Sequence, residues 1–504
     1  MASIAGLAAP VGWAPLAWWP VALLCHAVLF LAVSRCRAIG QAALVGGAFG
    51  LALHLSGHGW IYDCLNTKTG MGLLPALVGT TAFVSYLALF TALPCAAWRA
   101  LALAGRSIRS AWVSVPAFAA LLTLGEYSRS LLFNGFTSMS LGYALIDTWL
   151  AGLAPVFGVY GLSWIGFALA AGAVLALESP LRWRLVFGTA LAFVFGIGAV
   201  ITQVEWVRPN GAPLSVRLIQ GNVAQAKKFD PLHTRQQIAL YAQTITAQPA
   251  DIIVTPETAF PVFLNELPGE LLEDLQRFSR ASGSHLLLGI ATRAASAEGH
   301  NSVAHVAPGR EDLEQYDKVR LMAFGEYSPT GFGWFTGRLH IGLKDLEAGR
   351  ADQRPFQIGE QRIGTLICQE DVTSVQARRW LANEPAATLL VNPSNLAWFE
   401  GSAAPEQSQQ LARMRALEVG RPLLRVANTG VTSVVDHRGQ VLSFLPAGAA
   451  DTLRGHVQGM QGLTPYARRG DLPLLLICAL SVVGLAVTHR RHSRVLATLT
   501  PTEH

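Results

Sequence analysis

Apolar residues are distributed unevenly along the chain. Met1 to about Gln203 is nearly continuous apolar sequence broken by short polar loops. Val204 to about Asp471 mixes polar and apolar positions as soluble protein does, and Leu472 to Thr488 is apolar again. A bilayer-crossing helix needs about 20 apolar residues, within a range of roughly 17–25. Stretches of that kind occur at 17–33, 39–56, 71–94, 112–133, 150–177, 185–203 and 472–488, a bundle of about seven helices. Met1 to Pro10 is too short to span, and Pro10, Pro15 and Pro20 interrupt a helix there. No basic segment precedes the apolar run, so a cleaved signal peptide is not expected. The expected organisation is a transmembrane helical domain over 1–203, a soluble domain over 204–471, and an anchor with a basic tail over 472–504.

Within 204–471, short runs rich in Val, Ile and Leu end in polar turns, which reads as strands. They are Ser215–Gln220, Asp251–Thr255, His285–Ala291, Arg362–Ile367, Ala387–Asn392, Leu423–Ala427 and Val431–Val435. Helical stretches are Leu232–Thr246, Glu270–Ser282, Val372–Asn383 and Gln407–Val419. Arg413, Arg415 and Glu418 fall in the last, where surface or supporting ion pairs are expected. Asp436-His437-Arg438-Gly439 reads as a hairpin turn. The alternation of strands and helices suits an α/β layered sandwich.

Composition supports the division. The chain of 504 residues is 51% hydrophobic and only 14% charged, with mean hydropathy +0.37; a soluble protein carries about a quarter charged residues. This excludes a single soluble domain, a disordered chain and a nucleic-acid binder. The net charge of +6 owes much to clusters in alternate loops. Arg35 and Arg37, then Arg99, Arg106 and Arg109, then Arg182 and Arg184, then His489, Arg490, Arg491 and Arg494 all fall on one side. Loops 57–70 and 134–149 hold only Lys68. Basic loops face the cytoplasm, which puts the soluble domain in the periplasm of a bacterial inner membrane. Glu126 and Arg129 lie at i and i+3 within a predicted span. Charges at that depth face a protein interior or a water-filled cavity; the expectations are a structural ion pair or a role in binding a lipid headgroup or amine.

Cys368 is the one cysteine of the soluble segment, so it has no disulfide partner there. It follows a strand ending at Ile367 and opens a turn into a helix. Backbone N–H groups at such a start lower a thiol pKa and hold an oxyanion; the alternative is an inert cysteine at a strand end. Glu257 stands just past another strand, after Pro256. Lys318 lies in Tyr316-Asp317-Lys318-Val319-Arg320-Leu321, with Phe324-Gly325-Glu326-Tyr327 after it. A thiol, a carboxylate and an ammonium on three loops can form a nucleophile, its base and an electrostatic stabiliser. No Cys/His cluster has metal-ligand spacing, and no metal or cofactor is expected.

These segments resemble the nitrilase (carbon–nitrogen hydrolase) superfamily. Nearly the whole chain is similar to the apolipoprotein N-acyltransferase family, from Trp60-Ile61-Tyr62 through Gln220-Gly221-Asn222, Ser394-Asn395 and Ala397-Trp398-Phe399 to Gly462-Leu463-Thr464-Pro465-Tyr466. The resemblance implies a nitrilase-like α-β-β-α sandwich on a polytopic α-helical membrane domain. It implies a catalytic triad of Glu257, Lys318 and Cys368, with Glu326 and Glu370 supporting and the Gln369 N–H at the oxyanion. Phe229, Trp334 and Trp398 are candidate substrate-binding residues. The implied reaction passes an acyl chain from a phospholipid, through a thioester, to the α-amine of a lipoprotein's diacylglyceryl-cysteine. Phe229, Arg320, Ala323, Gln369 and Leu396 depart from the usual Trp, His, Pro, Tyr and Asp. They leave open a paralogue acylating another amine, beside a membrane-tethered amidase-type hydrolase and a non-catalytic scaffold. The apolar loop 331–347, with Phe332, Trp334, Phe335, Leu339, Ile341 and Leu343, is expected to enter the bilayer, cover an acyl chain or pack locally.

Overall fold

A computed structural model describes residues 1–102, 108–228, 230–293, 299–337 and 345–499. The apolar stretches are helices at Trp19–Ser34, Ile39–His58, Leu73–Ala102, Ile108–Leu131, Ala154–Glu178, Leu181–Ile201 and Leu472–Leu499. Among the described residues, Ile39–His58, Leu73–Ala102, Trp149–Glu178 and Leu181–Ile201 are long and apolar enough to cross a membrane. Trp19–Ser34 and the apolar part of the last helix, Leu472–Thr488, are shorter. Ala2–Ala8 is a separate short helix that ends before Pro10.

Glu126 and Arg129 do not form the expected ion pair. Both sit on the face of Ile108–Leu131 that meets the chain at 137–142, and each finds a partner there. Arg129 donates to Ser140 Oγ at 3.0 Å and His54 Nε2 at 3.2 Å, and Glu126 accepts from the Leu141 N–H at 2.8 Å. Leu141 opens the short helix Leu141–Ala144, whose first N–H groups have no intrahelical acceptor, so the Glu126 carboxylate caps it, while Arg129 takes side-chain acceptors.

The soluble half is two stacked sheets between helices. One has the order Asp451–Val457, Leu214–Gln220, Ile252–Val254, His285–Arg293, Gly299–Val306, Glu314–Asp317, with Phe260–Phe263 beside His285–Arg293. The other runs Val441–Leu445, Thr432–Val435, Leu423–Ala427, Leu389–Ser394, Gln361–Thr365, Phe356–Ile358. Alternate side chains leave a strand on opposite faces. Hence Ile252, Val254 and Leu287 enter the core between the sheets, while Ile253, Leu286 and Leu288 enter the core under Pro231–Thr246 and Gly269–Ser282. Ser374–Ala382 and Ala404–Val419 cover the second sheet. This is the α-β-β-α sandwich. Gly299–Val306, Glu314–Asp317, Phe356–Ile358 and Asp451–Val457 were not expected as strands. Gly299-His300-Asn301-Ser302 lacks apolar alternation and is held by pairing with His285–Arg293.

Ala404–Val419 is buried on two sides. Ala412, Ala416 and Val419 face the sandwich core; Leu411, Met414 and Leu417 join the core of the membrane bundle. Of the expected ion pairs, Arg415–Glu418 is therefore interior, while Arg413–Asp147, with Asp147 47% exposed, stays at the surface. Arg415 and Glu418 pair at 2.9 Å, both almost fully buried, and Arg413 reaches Asp147 at 2.5 Å. Gly158, at φ +67°, breaks Ala154–Glu178, and Glu418 accepts the Val159 N–H beside that break at 2.6 Å. A residue with a Cβ is strained at such a φ, and at Gly158 it would also meet the Tyr466 ring.

Candidate active site

Three strand-end loops converge at the end of the sandwich where the sheets' parallel strands finish. Glu257 follows Ile252–Val254, Lys318 follows Glu314–Asp317, and Cys368 follows Gln361–Thr365. Gly289 on the neighbouring strand packs so tightly against Pro256 and Glu257 that a Cβ there would overlap the Pro256 carbonyl.

Lys318 Nζ lies 3.4 Å from Glu257 Oε1 and 2.8 Å from Glu326 Oε2, with all three side chains largely buried. Asn301 Nδ2 donates to both Glu257 Oε1 and Glu326 Oε1 at 2.7 Å. The second Glu257 oxygen accepts the Asn395 N–H at 2.8 Å. Burial pushes the Glu257 carboxyl up, but Lys318, Asn301, Lys228 and Cys368 outweigh it and hold the carboxyl below its ordinary value. Burial likewise pushes Lys318 down, yet Glu326, Glu257 and Cys368 hold it above the usual lysine range. At neutral pH the pair is carboxylate and ammonium.

Cys368 sits at φ +53°, a left-handed conformation that non-glycine residues rarely adopt and that clusters at functional sites. It opens the short helix Cys368–Asp371, and its helix-start position was expected to lower the thiol pKa. The opposite holds. Burial, then the Glu257 carboxylate, push the thiol up, with Lys318 opposing. The desolvated anion costs more than the terminal N–H groups of so short a helix return.

Glu370 ties two of the loops together. Its Oε1 accepts the N–H groups of Val319 and Arg320 at 2.8 and 3.0 Å, and its Oε2 accepts the Ile367 N–H and the Tyr316 hydroxyl at 2.8 Å. Gln369 Nε2 donates to the Arg320 carbonyl at 3.3 Å. Asn392 Nδ2 donates to the Leu366 and Cys368 carbonyls, and Arg425 joins Asn392 to the buried Asp371. Leu396 is buried against Gly430, a packing role for a position where the resemblance implies Asp.

Sequence reasoning missed Asn301 and Lys228. Lys228 is 1% exposed, and its Nζ donates to the Glu257 carbonyl at 3.0 Å. Burial pushes it down to about 7, against Glu257 and Cys368. Asn301 carried no signal, since its strand has no apolar pattern. Lys228 precedes Phe229 in a loop read only for its aromatic.

Of the substrate-binding candidates, Trp398 is half-buried in the turn Ala397–Phe399, whose Phe399 ring meets Trp60 of the membrane half at 4.6 Å. Phe229 lies outside the described residues, as do Leu339, Ile341 and Leu343 and the side chains of Trp334 and Phe335. Phe332 packs edge-on against Phe324. Among the described residues no group of three His, Cys, Asp or Glu is placed to hold a metal ion.

The fold is that of a carbon–nitrogen hydrolase carried on a polytopic membrane bundle. The carbon-nitrogen hydrolase family profile matches residues 215–466, and that of the apolipoprotein N-acyltransferase N-terminal domain matches residues 5–173. The chain is 38% identical to an apolipoprotein N-acyltransferase of Ralstonia nicotianae over 97% of its own length and 93% of the relative's. It is 38% identical to one of Nitrosomonas europaea over 95% of both, and 36% identical to one of Bordetella bronchiseptica over 95% and 94%. The chain belongs to the apolipoprotein N-acyltransferase family.

Proposed function

We propose that this protein transfers an acyl chain from a phospholipid to the N-terminal α-amine of a diacylglyceryl-cysteine lipoprotein, through a thioester on Cys368. The observation that carries the reading is a buried carboxylate held ionised beside a thiol held protonated, with an ammonium facing both. In the first half-reaction Glu257 takes the thiol proton as sulfur attacks the ester carbonyl. The oxyanion forms against the Lys318 ammonium and the Gln369 N–H. Collapse breaks the ester C–O bond, and the leaving lysophospholipid oxygen takes the proton from Glu257. In the second half the free amine attacks the thioester, Glu257 takes its proton, and sulfur leaves and is reprotonated. Glu326 and Asn301 hold Lys318 and Glu257 in register. Glu370 fixes the loops that carry the nucleophile and the lysine.

The soluble domain, taken as 204–471, works on the periplasmic side of a bacterial inner membrane, as the arginine-rich loops favour. Both substrates are then presented in the outer leaflet, where the Trp60–Phe399 contact joins the two halves.

The test is the intermediate. Enzyme incubated with phospholipid alone is expected to gain one fatty acyl mass on Cys368, labile to neutral hydroxylamine. A lipopeptide with a free diacylglyceryl-cysteine amine discharges it, and an N-acetylated one does not. An adduct that persists with the free-amine lipopeptide points to another acceptor. Free fatty acid with no adduct under rapid acid quench overturns the transfer reading in favour of hydrolysis.

A further inference from the structure

Beside the reaction loops, where the sandwich meets the membrane helices, lies a cavity of about 370 Å³ that none of Glu257, Lys318 or Cys368 lines. Its walls come from both halves. Leu131 ends the helix Ile108–Leu131, Arg320 belongs to the lysine loop, Thr373 and Val375 belong to the start of Ser374–Ala382, and Arg379 lies one turn further along that helix. Asp471 stands at the foot of the last membrane helix.

Three observations point to an anion. First, Arg320 and Arg379 both face the cavity, are half-buried, and form no ion pair within 4 Å among the described residues. Arg320 donates to the Asn134 carbonyl at 2.7 Å and Arg379 only to Gln376 Oε1 at 3.4 Å. The nearby Glu370 has both oxygens occupied by four other donors. Second, Thr373 is the residue before a nine-residue helix, yet its hydroxyl makes no cap hydrogen bond. The residue is 6% exposed and its Oγ1 has no partner. A buried hydroxyl without a partner is destabilising, and a ligand oxygen would remove that cost. Third, the helix start adds unpaired N–H groups and the positive end of its dipole. Asp471 is the one carboxylate on the wall, and the Tyr466 hydroxyl donates to it at 3.0 Å. Two guanidinium groups against one carboxylate leave the cavity net positive.

The rim says what carries the anion. Leu131 is 61% exposed and Val375 37%, and Leu132 and Phe133, next along the chain, are exposed as well. Leu131 to Phe133 lie at the end of a helix of the bundle, an end that reaches headgroup depth when the bundle spans the bilayer, and Val375 adjoins the cavity from the sandwich. We propose that the cavity binds the phosphate of a membrane lipid, with Arg320 and Arg379 on the phosphate oxygens, the Thr373 hydroxyl donating to one of them, and the acyl chains against Leu131 and Val375. The lipid would fill the seam between the halves. The proposal rests on the chain spanning a membrane and not on the thioester reading.

The test uses the full-length protein in detergent and measures retained lipid by native mass spectrometry. The probe is a dialkyl ether phosphatidylglycerol, which has no ester to be consumed, so binding is read without turnover. Retention of the ether lipid is expected to fall at least tenfold in the Arg320→Gln/Arg379→Gln double variant and several-fold in Thr373→Val. It is expected to be unchanged in Arg310→Gln, an exposed arginine far from the seam. Thr373→Val keeps the volume and the charges, so it reports on the site if the double variant fails to fold. A dialkylglycerol without phosphate is expected not to be retained. Equal retention of the ether lipid by the folded double variant and wild type, or of the neutral dialkylglycerol and the ether lipid by wild type, overturns the site. Binding of sn-glycerol 3-phosphate as tight as that of the lipid overturns the membrane lipid as its source and leaves a soluble phosphate.

Discussion

The candidate reaction centre and the seam between the two halves both bury charge, and they manage it differently. At the seam, Arg415 and Glu418 are three residues apart on one helix, and Glu418 also accepts a backbone N–H from the broken membrane helix. Local spacing makes the pair, and tertiary packing makes it an internal one. At the candidate reaction centre, Glu257, Lys318 and Cys368 come from three separate loops, with Glu326 on the Lys318 loop, and each charge is balanced only when all the loops are in place. At the seam, burial pushes the Glu418 carboxyl up to about 7 against the pull of Arg415. The centre holds a proton on sulfur and a vacancy for it on Glu257, so its balance is ready to move. A buried pair is weak evidence for stability in itself; what differs here is that the centre sets a proton donor, Cys368, beside its acceptor, Glu257.

The largest expected effect separates the two regions. Cys368→Ala abolishes acyl transfer while leaving the melting temperature of the detergent-solubilised protein close to wild type; wild-type activity in this variant would end the triad reading. Next, Glu257→Gln and Lys318→Ala each lower the single-turnover rate of thioester formation by about 10²–10⁴-fold, the range for a general base or an oxyanion donor. Loss of less than about tenfold would mean that the carboxylate–ammonium pair is structural, like the one at the seam.

The seam predicts the reverse pattern. Glu418→Ala strands Arg415 in the interior and frees the Val159 N–H, at a cost of about 3–5 kcal/mol. The melting temperature should drop sharply, whereas activity per folded molecule stays near wild type. Glu418→Gln keeps an acceptor for Val159 and should lose less. Equal losses for the two would assign the whole effect to the ion pair.

The smallest effect concerns Lys228, whose buried ammonium is pushed down to about 7. An unfolded lysine titrates near 10.4, so between about 7 and 10.4 the unfolded chain holds a proton that the folded one does not. Stability then rises with pH across that window. Lys228→Met removes this contribution, so the variant's melting temperature should rise less between pH 7 and 10 than the wild type's. Parallel curves would show that Lys228 keeps its proton in the folded state.

Much of the architecture is legible without coordinates, because it follows from local pattern. Apolar length placed the start of each membrane helix within four residues, but Leu73–Ala102 and Leu472–Leu499 run on well past their apolar stretches. Leu423–Ala427 was read with its observed bounds, and the turn at Asp436–Gly439 joins antiparallel strands as its composition required. Strands without apolar alternation escaped, as Gly299–Val306 did, because backbone pairing with the flanking strands, and not their own side-chain pattern, holds them extended.

What the sequence by itself determined is the division into membrane and soluble parts and the order of strands and helices that makes a layered sandwich. It also placed Glu257 and Cys368 each just beyond a strand, and Lys318 on a third loop. These follow from periodicity, length and chain order, which are properties of neighbours along the chain. Only the tertiary structure decided that Arg415 and Glu418 are interior, that Glu126 and Arg129 choose other partners, that Asn301 bridges two carboxylates, and that the Cys368 thiol is held protonated. The reason is common to all four. Burial and charge balance are sums over atoms close in space, and here those atoms come from segments tens to hundreds of residues apart.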